Sequence, residues 1–149
     1  MFLLRKKARN PNVSVVNGRW GEDVAVKFLE RRGYKILERN VRPYKKDERL
    51  EIDIVAYSEE ARAIVFVEVK QHSKHSEYER RLRSIDRRKR LLMRRVCKAW
   101  ILVHKWTGSY RFDVIEVFGT PEAKNEVEID HIERVDIFVG REKYVNWCE

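Results

Sequence analysis

The sequence predicts a single mixed α/β domain, on three observations. At 149 residues the chain is long enough for one apolar core and too short for two. Its hydrophobic fraction of 43%, with only 6 Gly and 3 Pro, excludes a disordered tail or a linker. Helical and strand periodicities follow one another in the order helix, hairpin, helix, strands, the pattern of helices layered on a sheet.

Residues 1–16 read as a basic, loosely ordered arm in which Pro11 and Asn12 oppose a helix, leaving residues 17–149 as the domain. Over residues 19–32, Val24, Ala25, Phe28 and Leu29 recur at helical spacing, and Gly33 suits a C-terminal cap. Residues 51–57 and 63–70 are Ile/Val-rich strands joined by a hairpin-sized polar link, Ser58 to Arg62. Ser76 and Glu79 then form a capping box. Beyond it Tyr78, Leu82, Ile85, Lys89, Leu92, Val96 and Ala99 make an inward helical stripe broken only by Lys89. Strands are expected at residues 100–103, 111–118, 127–132 and 135–139.

No apolar run approaches the roughly 20 residues of a membrane span, and the three apolar residues before the first charges are too few for a signal peptide. Cys97 and Cys148 are the only cysteines and read as reduced thiols of a cytoplasmic protein. The formal net charge of +9 is unevenly spread. Residues 80–98 hold ten basic residues, Arg80, Arg81, Arg83, Arg87, Arg88, Lys89, Arg90, Arg94, Arg95 and Lys98, against one acid, Asp86. The rest of the chain is neutral, with 23 basic and 23 acidic residues. Such a segment is either a solvated helix face or a polyanion-binding surface, and its concentration favours the second.

Glu68 and Lys70 lie two apart on a strand and share a face, with Val67 and Val69 on the other. Hairpin pairing can bring Asp53 opposite them. Two carboxylates beside a lysine make a hard-oxygen cation site with a charge-stabilising group attached; the alternative is an edge-strand salt bridge. Glu22, at the border of the first helix's apolar face, is a third carboxylate, or else a first-turn acid complementing the helix dipole. Lys89 either snorkels to water or approaches the carboxylates or a phosphate. His72 and His75 lack the further ligands of a zinc site, and no phosphate loop or nucleophile elbow occurs.

Together Asn17 to Ala25, Leu29, Gly33 to Ile36, Arg39 to Arg42, Glu51 to Ile54, Phe66 to Lys70, Lys89 and Arg111 to Asp113 resemble the YraN family, small proteins of the PD-(D/E)XK nuclease superfamily that are also similar to archaeal Holliday-junction resolvases. The likeness runs from about residue 17 to 117. It implies an α/β, restriction-endonuclease-like core, a mixed β-sheet flanked by helices, with its acidic set at Glu22, Asp53 and Glu68 and its motif lysine at Lys70. Two departures are Leu50, where the family usually has Gly, and Gln71-His72, where it tends to have a small hydroxyl residue and Arg.

The expectation is a Mg²⁺- or Mn²⁺-dependent DNA endonuclease, acting on branched or otherwise structured DNA. Asp53, Glu68 and the Val69 carbonyl would hold the cation, and Glu22 would complete the cluster. Lys70 would handle the attacking water, Lys89 a phosphate, and Gln71 substrate or neighbouring groups. The residues of 80–98 would grip the DNA backbone. A homodimer would suit symmetric cleavage, and no membrane partner is expected. The rivals are a nucleic-acid-binding module without catalysis and a protein-interaction subunit meeting an acidic partner.

Overall fold

Residues 11–47, 50–73, 87–123 and 126–137 are described in a computed structural model, apart from the side chains of Pro11 and Arg87. The order is α1 (Pro11–Arg31), β1 (Tyr34–Val41), β2 (Ile52–Ser58), β3 (Ala63–His72), α2 (Arg87–His104), β4 (Ser109–Phe118) and β5 (Glu128–Ile132). The strands form one sheet in the order β1-β2-β3-β4-β5. Only the β3–β4 pair is parallel, because α2 lies between those two strands in the chain and supplies the crossover. The architecture is α/β, a five-stranded mixed sheet flanked by two helices, consistent with a restriction-endonuclease-like core. Among the described residues no helix is long and apolar enough to cross a membrane.

Alternation along the strands divides the apolar side chains between two cores. Val55, Ile64, Phe66, Phe112 and Val114 meet Met93, Val96, Cys97 and Trp100 of α2. On the other face Ile54, Ala56, Val65, Val67, Ile115 and Val117 meet Ala25 and Leu29 of α1. α1 crosses β3 closely at Gly21, where a Cβ would stand 2.9 Å from Gln71 Cβ. Gly33 ends the helix with φ +86° and its N–H donates to Glu30 O at 3.0 Å, the expected cap.

The structure departs from expectation at four places. α1 begins at Pro11, eight residues earlier than the apolar periodicity suggests, so residues 11–16 are helical and not part of an arm. Proline is compatible there because the first helical position needs no N–H. Residues 100–103 are the last part of α2 and not a strand. Trp100 continues the buried positions 93, 96 and 97, whereas Leu102 and Val103 are exposed, a period of three to four that an Ile-Leu-Val run conceals. β1 went unpredicted, since its sequence alternates with charged residues along an edge. No strand forms at residues 135–137. Residues 1–10, the capping box at 76–79, Tyr78, Leu82, Ile85, His75, Trp147, Cys148 and residues 138–139 lie outside the described residues.

β4 carries a buried charged pair on its α1-facing side. Arg111 donates from Nε to Asp113 Oδ1 at 3.1 Å and from Nη2 to Asp113 Oδ2 at 3.2 Å. His131 Nε2 lies 2.8 Å from Asp113 Oδ2, and the Arg134 N–H donates to Oδ1 at 3.0 Å. Arg111 also donates to the Tyr34 hydroxyl at 2.8 Å, so the network ties β1, β4 and β5 together. Removing one member of such a pair leaves the other charge buried and uncompensated. Asp113→Ala is therefore expected to destabilise the protein by about 3–5 kcal/mol, read as a lower urea midpoint with the denaturant slope unchanged.

Candidate metal centre and nucleic-acid interface

The β2–β3 hairpin sets the site. Ile54 pairs with Val67 in an antiparallel register, and continuing it by one residue puts Asp53 across from Glu68 on the α2-facing side of the sheet. These are central strands, so Glu68 and Asp53 are not an edge-strand salt bridge. The Val69 N–H donates to Asp53 Oδ2 at 2.7 Å; it is the amide of Val69, rather than its carbonyl, that touches this carboxylate. Glu68 Oε1 lies 3.2 Å from Lys89 Nζ of α2. Lys89 thus approaches a carboxylate, one of the roles open to it.

Glu22 enters from α1. Its Oε2 is 3.9 Å from Arg39 Nη2, and with the Asn40 amide in its hydrogen-bonding orientation that group donates to Glu22 Oε2 and to Glu51 Oε1, each at 3.2 Å. Asn40 reaches both from a left-handed backbone, φ +50°, a conformation asparagine tolerates better than most residues. Arg42 Nε donates to the other oxygen of Glu51 at 2.6 Å. Glu22, Asn40, Arg42 and Glu51, with Val15, Gly18 and Arg19, line an open cleft of about 570 Å³. Glu51 is the carboxylate that sequence reasoning passed over. Its position two residues before Asp53, on the same side of an extended chain, was the available signal.

The electrostatics join these groups. Burial pushes the Asp53 carboxyl up to about 8 from its ordinary 3.8, with Glu68 adding to the rise, the Val69 N–H opposing it, and Glu22 and Glu51 contributing further. Burial also raises Glu22, against the lowering influence of Arg39. Burial and mutual repulsion thus raise two of these carboxyls, and N–H donors and cations of Val69, Asn40, Arg39, Arg42 and Lys89 meet the four of them.

Other predicted residues are less closely joined. Lys70 projects from β3 two residues beyond Glu68, in register with Glu116 of β4; among the described residues no ion pair joins it to Asp53 or Glu68. Gln71 is occupied, its Nε2 donating to Gly119 O at 2.7 Å under the close approach of Gly21. His72 stacks on Phe118, with Nε2 3.3 Å from Glu116 Oε2. Of the basic segment, Arg88, Lys89, Arg90, Arg94, Arg95 and Lys98 lie on α2, Arg87 opens it, and Arg88 and Arg95 are exposed. Arg80, Arg81 and Arg83 lie outside the described residues.

A second group was not foreseen. Asp113, His131 and Glu133 offer ligand atoms all within 4.8 Å of one another and could hold a metal ion of unassigned identity. Both Asp113 oxygens already accept hydrogen bonds from the neighbouring arginines, so Arg111 supplies there the charge that a cation would bring.

A family signature described as "Uncharacterised protein family UPF0102" matches residues 21–117. The chain is similar to UPF0102 proteins of Caldicellulosiruptor bescii, 41% identical over 113 residues covering 74% of this chain and 87% of the relative, and of Thermotoga maritima, 40% over 114 residues covering 76% and 91%. A UPF0102 protein of Cytophaga hutchinsonii is 36% identical over 99 residues, covering 66% and 81%.

The raised Asp53 carboxyl makes stability depend on pH with a definite sign. A carboxyl with an elevated folded pKa stabilises the fold most while protonated, below about 4, and that contribution is lost as pH rises through about 8. In metal-free buffer Asp53→Asn, which keeps an acceptor for the Val69 N–H, should match the native chain's melting temperature at about pH 4. At about pH 9 it should melt about 5–10 °C higher. Equal melting temperatures at both pH values would contradict the assignment.

Proposed function

The chain belongs to the UPF0102 family, the YraN family of the sequence resemblance, and from the site itself we propose a metal-dependent DNA endonuclease. The observation that carries this reading is the facing of Asp53 and Glu68 on adjacent central strands, with Glu22 and Glu51 near enough to act on Asp53. A basic helix lies beside them. Buried carboxylates that repel one another gain stability from a cation, and a cation is what lets such a site accept a phosphate.

Asp53 and Glu68 would hold Mg²⁺ or Mn²⁺, with the Val69 carbonyl as a further ligand and Glu22 completing the cluster directly or through water. Bound there, the cation would polarise a phosphodiester oxygen and lower the pKa of a coordinated water. Lys70, on the same face as Glu68, would orient that water and stabilise charge gathering at phosphorus. The α2 arginines would grip backbone phosphates, giving affinity with little sequence content. Structured or branched DNA is the proposed substrate, and a dimer would place two sites for symmetric cleavage.

The test is a panel of labelled four-way junction, flap, duplex and single-stranded DNA with Mg²⁺, Mn²⁺ or EDTA. Cleavage is expected with either metal and not with EDTA. Asp53→Ala and Lys70→Ala should each lower the rate by at least about a hundredfold while binding persists. Cleavage undiminished in Asp53→Ala would refute the mechanism, and metal-indifferent binding without turnover would support the binding-module alternative. Binding should weaken by about two to three powers of ten between about 50 and about 200 mM salt.

A further inference from the structure

Each of the four carboxylates Glu22, Glu51, Asp53 and Glu68 has a resident N–H donor. The Val69 amide serves Asp53, Asn40 bridges Glu22 and Glu51, and Arg42 takes the far oxygen of Glu51. Glu68 differs in that its donor is a lysine brought by the basic helix, with Nζ 3.2 Å from Oε1. The Glu68 side chain is only 13% exposed, whereas that of Lys89 is 37% exposed, so the carboxylate is fixed in the strand layer and the ammonium has a way out.

A divalent cation binds a carboxylate oxygen at roughly 2.0–2.6 Å. An ammonium already at hydrogen-bond distance from that oxygen would then face a dication a few ångströms away, and the two repel. Lysine suits an exchangeable position: its charge is compact and sits on a flexible four-carbon stem, unlike the planar fork of arginine. The carboxylates are also not collapsed onto one another. Among the described residues no three of Glu22, Glu51, Asp53 and Glu68 bring ligand oxygens within the 4.8 Å that the Asp113 group satisfies.

We propose that the Lys89 ammonium is the built-in counter-cation of Glu68, which an incoming divalent cation displaces, and that the displaced ammonium turns to the nucleic-acid phosphate. Metal loading and grip on the polyanion are thereby coupled through one side chain, whose ammonium leaves Glu68 as the site gains its cation. Lys89 is in this account a positioning residue for the metal site. The proposal rests on the reading of Asp53 and Glu68 as metal ligands.

The experiment titrates Mn²⁺ alone, by calorimetry and without nucleic acid, into the full chain and into its Lys89→Met, Lys89→Gln and Lys89→Arg variants. With the competing ammonium removed, the Met and Gln variants should bind Mn²⁺ about three- to tenfold more tightly than the native chain, and the Arg variant no more tightly. In a second arm, affinity for a short duplex is measured with and without Ca²⁺. The native chain should gain affinity with Ca²⁺, and the two neutral variants should lose most of that gain. Mn²⁺ affinity unchanged or weakened in whichever neutral variant retains the native circular dichroism spectrum overturns the Lys89 proposal alone. Failure of the native chain to bind Mn²⁺ overturns the metal-site reading beneath it.

Discussion

Everything in this molecule is arranged around a carboxylate that is costly to bury. Asp53 sits on the second strand of a five-stranded sheet, with Glu68 across the hairpin and Glu22 and Glu51 close enough to raise its pKa further. A hydrophobic residue at that register would have stabilised the sheet more cheaply. The surroundings instead accommodate the charge one group at a time: an amide for Asp53, a bridging asparagine for Glu22 and Glu51, an arginine for Glu51 and a lysine for Glu68. Those partners come from α2, from β1 and the residue that follows it, and from β3.

The same sheet holds a second group of buried charges, and the contrast is informative. At Asp113 the accounts close: a guanidinium binds it through two hydrogen bonds, a ring nitrogen and a backbone amide complete it, and the network clasps three strands. Proximity alone qualifies Asp113, His131 and Glu133 as metal ligands, but a cation entering there would have to compete with Arg111. Around Asp53 three other carboxylates push its carboxyl up, with one backbone N–H opposing them. Charge that is compensated internally reads as architecture. The metal-site proposal draws on that mutual repulsion together with the facing of Asp53 and Glu68.

Legibility in the sequence followed the physics that each element obeys. The β2–β3 hairpin was readable to within two residues, because Ile/Val strands joined by a polar link have few alternatives, and its register carried Asp53 opposite Glu68. The Gly33 cap was equally plain. α2 was misread at its end: composition suggested a strand at residues 100–103, and only burial of Trp100 with exposure of Leu102 and Val103 exposes the helical period. β1 escaped because an edge strand needs little apolar signal. The Asn40 bridge and the Arg111–Asp113–His131 network depend on contacts between residues up to 18 apart and in different elements, which no local pattern encodes. Lys89 was conspicuous as a charge inside an apolar stripe, yet its partner could be known only once α2 was laid against β3.

That partner changes the meaning of the basic segment. Seven of the segment's ten basic residues lie on α2, and such a helix placed far from the carboxylates would be a general polyanion adhesive. Here one of its lysines reaches the carboxylate cluster, so the helix and the acidic site share an electrostatic boundary. A phosphate brought to that boundary meets attraction from one side and repulsion from the other. The repulsion ends only when positive charge enters the cluster, whether as an ammonium or as a divalent ion. On the metal-site reading, occupancy of the acidic site would then decide how closely a polyanion can approach, a more specific property than the net charge of +9 conveys.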